Sequence, residues 1–270
     1  MKRALFIIAI AAVVGHTAAA QTIEDYEARI AALFDTIVAA TDNSRNRLYN
    51  DTISQLMIRA LKSEKSFNYP FAGLKYIGVV TADDNALRLY TWNMPADSGT
   101  LYNGIVQKAN GDIVMLRQAT ENYPPDEWQT LTDSTWYGAL YYRAVAYKVN
   151  RQKVYLLLGW HGQPNRRTQH KFIDVLWFDE AGKAQFGWPL LADDNTPRAK
   201  SRLVLEYDAD ATIFLDYEAA KRRIVFDHLS PMKHFDDDTT TLGPDMSIDA
   251  YVRKAKQWLL KTDIRAKNRH

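Results

Sequence analysis

The chain has 270 residues, 47% hydrophobic and 12% aromatic, which is material for a large core in one or two domains and too apolar for a disordered chain. It has no cysteine, which excludes disulfide staples, thiol nucleophiles and thiolate metal ligands. Of its 34 basic residues, Lys2 and Arg3 account for the whole excess over 32 acidic ones; the remainder is balanced, so nucleic acid is not expected as a partner.

The opening stretch MKRALFIIAIAAVVGHTAAA joins that basic start to an apolar run over Ala4–Val14 and small residues at Ala18 and Ala20. The run is about half the roughly twenty residues of a membrane span, so residues 1–20 read as a signal peptide cleaved after Ala20. The expected product is an exported protein, periplasmic or secreted, without a membrane anchor. Residues 21–68 read as a helical hairpin. Ile23, Tyr26, Ile30, Leu33, Phe34, Ile37 and Val38 recur at helical steps. After the break TDNSRN, Asp42 or Ser44 is expected to cap a second helix carrying Leu48, Ile53, Leu56, Met57, Ala60 and Leu61.

Beyond Gly73 the period changes to two. Strands are expected at 75–81, 86–92, 101–108, 112–118, 138–147, 153–160, 171–178, 183–188, 200–207, 212–217 and 222–227. The turn signals ANGD (109–112), DEAG (179–182) and DADA (208–211) are short, so sequential antiparallel pairing follows. Leu156, Leu158, Ile173 and Val175 are expected to be buried where 153–160 pairs with 171–178. Longer interruptions at 119–135 and 192–201 divide the strands into three groups. Residues 69–246 therefore read as an antiparallel β-meander forming a sandwich, a partial barrel or a propeller-like stack. The stretch 247–265 reads as a C-terminal helix capped by Ser247, with Ile248, Tyr251, Val252, Ala255, Trp258 and Leu259 on one face. The fold class is α+β.

The stretches LRLYTWN (87–93), WYGALYY (136–142), YLLLGWHG (155–162), FIDVLWFD (172–179), IVFDHLSP (224–231) and GPD (243–245) resemble a family of uncharacterised exported bacterial proteins. The resemblance covers most of the chain beyond Gly73. It implies that the β-rich part is a unit with its own identity, and it carries over no activity, cofactor or catalytic residue.

No metalloprotease, nucleophile-elbow, P-loop or dinucleotide-binding motif is present, and no metal or cofactor is expected. Candidate chemistry rests on single residues. Asp174 sits where an apolar residue belongs, and is either locked by a partner or poised for acid chemistry. His161 ends a strand apolar on both faces; with Trp160, Arg166, Arg167 and His170 it marks a loop that either binds a ligand or is merely solvated. His228 needs an acid from another strand, because its neighbour Asp227 points to the opposite face and reads better as a turn former. Glu206 is the fourth catalytic candidate. The acidic run at 234–241 lacks calcium-loop spacing. Trp92, Trp136, Trp160, Trp177 and Trp188 supply either core or a sugar platform. These features point to a non-enzymatic binding or envelope-associated module whose partner is an envelope component or glycan. The alternative is an exported hydrolase of a glycan or ester, using Asp174 with a histidine or a second carboxylate.

Overall fold

The computed structural model describes residues 21–97, 99–162, 166–194, 196–233 and 239–264. The expected signal peptide, the tip of the loop after His161 and most of the acidic run lie outside the described residues.

Helix α1 (Ile23–Ala39) starts at a capping box, in which the Thr22 hydroxyl accepts the Asp25 N–H while the Asp25 carboxylate accepts that of Thr22. Helix α2 (Asn46–Leu61) follows, and the hairpin is as the periodicity predicts. Its start is not. Arg45 holds the cap position without a side-chain bond, and Asp42 accepts the Ser44 N–H in a turn just before it. Ile30, Phe34, Ile53 and Met57 are buried between the helices and the first sheet, whereas Val38 and Leu48 are exposed.

Three mainly antiparallel sheets follow, and none closes on itself. The first is a meander of β1 (Gly78–Thr81), β2 (Leu87–Ala96), β3 (Gly99–Lys108) and β4 (Ile113–Arg117). The second runs β5-β9-β8-β7-β6, from β5 (Leu131–Thr132), β6 (Leu140–Val149), β7 (Gln152–His161), β8 (Thr168–Phe178) and β9 (Ala184–Phe186). The third has β10 (Leu191–Ala192), β12 (Leu215–Glu218), β13 (Arg223–Lys233), β14 (Thr240–Arg253) and β15 (Trp258–Lys261), with β10 and β15 parallel. Period-two alternation builds the stack: on β7 and β8, Leu157, Phe172 and Leu176 face the first sheet, while Leu156, Leu158, Ile173 and Val175 face the third. All seven are fully buried. The layers therefore run helices, first sheet, second sheet, third sheet, with an apolar cluster at each junction.

Three further expectations fail, the first being the hairpin across DADA (208–211), whose flanking strands 203–208 and 215–218 pair with β8 and β13 and not with each other. The interruption at 192–201 does not separate the second and third sheets, because β11 (Leu203–Asp208) returns to pair with β8; the change of sheet comes after the turn in which the Ala211 N–H bonds Asp208 O. The C-terminal helix does not form. Residues 248–253 are strand, held by β13 on one side and β15 on the other. Ile248, Tyr251, Val252 and Trp258 suit a pleated, half-buried surface as well as a helix face, and pairing on both edges decides between them.

Candidate functional site

Strands β7, β8 and β11 lie side by side, and their register sets His161 opposite His170 and His170 opposite Glu206. Directly paired residues share a face. Three residues from three strands thus form one row at the end of the second sheet. His161 is fully buried, its ring stacked between Tyr102 at 4.1 Å and Tyr123 at 3.8 Å. Burial pushes its pKa down to about 4, against the pull of the Gly138 carbonyl 2.7 Å from Nδ1. A neutral ring bonded in this way carries its proton on Nδ1 and keeps Nε2 as acceptor. Gly138 is needed here: its φ is +87°, and a Cβ would lie 2.7 Å from the Tyr102 Cβ.

Tyr123 joins the row through its hydroxyl, which bonds His170 Nδ1. Burial raises the Tyr123 pKa, so the hydroxyl stays protonated and donates. His170 then carries its proton on Nε2, which lies 3.8 Å from the Glu206 carboxylate. Burial lowers the His170 pKa and the Glu206 charge works against that shift.

Beside the row is a crevice of about 320 Å³, lined by Asn93, Thr100, Trp160, Gly162, Thr168, Gln169 and Ala209. Its wall is fixed by several bonds. The Tyr102 hydroxyl donates to Gly162 O at 2.6 Å and accepts the Gly162 N–H at 2.9 Å. The Trp160 indole packs on Gly162, where a Cβ would come within 2.3 Å of the ring. Trp160 Nε1 donates to Gln169 Oε1 at 2.9 Å, Gln169 Nε2 donates to Ala209 O at 3.1 Å, and the Thr168 hydroxyl donates to Glu206 at 2.7 Å. Arg166 and Arg167 do not line the crevice; Arg166 is exposed and Arg167 reaches the Thr239 hydroxyl at 2.6 Å.

The remaining candidates lie elsewhere. Asp174 is on the same face of β8 as His170 but four residues away, about 13 Å along the strand. It is 0% exposed and faces Arg202, also 0% exposed, with Oδ1 3.3 Å from Nε and accepting the Val175 N–H at 2.8 Å. Arg202 Nη1 donates to the carbonyls of Asp126 and Gln129 and Nη2 to that of Phe186, so the contact with Asp174 is an ion pair alone. Both charged side chains are thus buried together in the core, the geometry of a structural lock. His228 does find an acid on another strand, Asp249 of β14, at 2.9 Å. Asp227 instead accepts the Phe214 N–H at 2.6 Å. The five tryptophans form no single platform: Trp92 and Trp136 are fully buried, Trp177 and Trp188 are half-buried and pack edge to face against the cluster between the second and third sheets, and Trp160 opens on the crevice. Among the described residues, no group of three or more acids and histidines is arranged to hold a metal, and no helix is long and apolar enough to cross a membrane.

The chain matches no protein-family model and no curated protein. The site stands on its geometry. Sequence reasoning missed Tyr102 and Tyr123, the two rings that enclose His161. Tyr102 reads as an ordinary strand aromatic, and Tyr123 sits in the irregular 119–135 segment, where no period marks a side chain's direction.

Proposed function

We propose that the chain is an exported, non-enzymatic binding protein that takes a neutral, hydroxyl-rich ligand, a glycan of the cell envelope, in the Trp160 crevice. The observation that carries this reading is the lining: an indole beside the amides of Asn93 and Gln169 and the hydroxyls of Thr100 and Thr168, with no charged side chain among the described lining residues. A sugar ring offers an apolar C–H face for the indole and hydroxyls that exchange bonds with amides and alcohols. Rigid mounting supports it further, because a wall already held by its own hydrogen bonds loses little freedom on binding. The hydrolase alternative has less to rest on. Asp174 is buried beside Arg202, and both His161 and His170 are buried, so neither ring presents a nitrogen at an open surface to a substrate in the crevice.

Retention of the purified protein on insoluble envelope glycans and on whole cells tests the proposal. Retention that falls at least tenfold in Trp160→Ala is expected. No retention on any of these materials at high protein concentration contradicts it, and steady release of soluble sugar would favour the hydrolase instead.

A further inference from the structure

Strand β4 is the last of the first sheet and bonds within it to β3 alone. The Lys108 N–H donates to Asp112 O at 2.8 Å, so residues 112, 114 and 116 turn their backbone groups toward β3, and Ile113, Met115 and Arg117 turn theirs outward. The outward Arg117 N–H is taken by Asp133 O at 2.7 Å, and Gln118 bridges Trp136 in parallel alignment. At Ile113 and Met115 that neighbouring segment has diverged. Among the described residues, nothing pairs with their outward N–H and C=O groups.

The divergence leaves a crevice of about 460 Å³, lined on one side by Ile113, Met115 and Arg117 and on the other by Asp133, Gly182 and Lys183. Lys108 Nζ donates to Gly182 O at 3.3 Å and fixes the far wall. Arg117 and Lys183 are exposed, and neither has an ion-pair partner among the described residues, while Asp133 is the one carboxylate of the lining. We propose that an extended acidic peptide adds to β4 at this edge, its backbone pairing with Ile113 and Met115 and its carboxylates meeting Arg117 and Lys183. An open strand edge accepts one kind of complement, another extended backbone, and a half-buried slot strengthens those bonds by limiting water. The unpaired cations select the charge of that backbone's side chains. They also disfavour a second copy of this chain, which would bring the same two cations to the junction. The inference is independent of the glycan reading, since it concerns a different crevice, which shares no lining residue with the first and is charged.

The experiment uses the purified chain and three blocked pentapeptides, Glu-Val-Glu-Val-Glu, its Lys-Val counterpart, and Glu-Pro-Glu-Pro-Glu, which lacks the backbone donors at its proline positions. Amide NMR and calorimetry at low salt are the readouts. The acidic valine peptide should shift and protect the Ile113 and Met115 amides and bind at least tenfold more tightly than the other two. In the Arg117→Glu/Lys183→Glu variant the preference should reverse toward the lysine peptide. Because both side chains are exposed, the variant should fold normally, and wild-type binding stands as a separate check if it does not. The proposal is overturned if no peptide binds at millimolar concentration, if the proline peptide binds as well as the valine peptide, or if the variant's preference is unchanged. Concentration-dependent dimerisation that protects the same amides without peptide would assign the edge to a second copy and overturn it equally.

Discussion

On β8, Asp174 and His170 occupy the same face of one strand, with Phe172 between them, and differ in what surrounds them. Asp174 lies mid-strand under Tyr137 and Tyr141, whose pKa values are raised by burial first and by the Asp174 charge second. Its charge is answered by Arg202 in a space without water access. His170 lies at the strand's end, where its neighbour Glu206 has a side chain 53% exposed and the Trp160 crevice opens nearby. Polarity alone therefore does not mark a site in a stacked β-fold. Mid-strand, the layers above and below enclose a polar group and make it a lock; at the strand's end the same face borders an opening.

The comparison can be broken most severely at the lock. Arg202→Ala leaves the buried Asp174 without its cationic partner and should cost about 3–5 kcal/mol, comparable with the roughly 2–5 kcal/mol expected for Leu158→Ala on the opposite face of the sheet. Urea unfolding measures both, and a loss below about 1 kcal/mol for Arg202→Ala would show that Asp174 is not sealed.

Acid sharpens the other half. A histidine whose folded pKa lies below its unfolded value binds fewer protons folded than unfolded between the two values, so stability falls as pH drops. For His161 that window runs from about 6.5 to about 4, and the loss by pH 4 is on the order of 3 kcal/mol. His170, also lowered by burial, acts in the same direction. Denaturant midpoints between pH 4 and pH 7 should show the slope, and Leu158→Ala should leave it intact. His161→Ala should flatten it while removing two stacked tyrosine contacts and the Gly138 bond, at about 2–3 kcal/mol.

The smallest effect belongs to His228, whose side chain is 44% exposed and whose pKa is raised, chiefly by its hydrogen bond to Asp249. The sign is opposite. Its contribution is present below the unfolded pKa and disappears as pH rises through the folded one. Solvent screens the pair, so His228→Ala should cost less than about 1 kcal/mol at pH 6 and less again at pH 8. Imidazole NMR titration should find His228 above, and His161 below, the ordinary histidine value.

Much of the β-rich layer plan was legible in the sequence because alternation is a backbone property: Val154 to Trp160 and Phe172 to Phe178 sort onto two faces whatever their partners. The same alternation singled out Asp174 as out of place, but Arg202, its answer, is 28 positions away on no shared pattern. The row of His161, His170 and Glu206 needed the register of three strands, and β11 was assigned to the wrong group because its pairing with β8 crosses a long interruption. The C-terminal strands were hidden by residues that satisfy both periods, with pairing on two edges as the deciding force.

The most direct test of the binding account is calorimetric titration of the purified chain with soluble oligosaccharides released from envelope glycan, wild type beside Trp160→Ala. The account predicts saturable binding by the wild type, weakened at least tenfold, about 1.4 kcal/mol, in a variant shown by its cooperative unfolding to remain folded. Equal affinities in the two proteins, or no binding by the wild type at millimolar oligosaccharide, would contradict it.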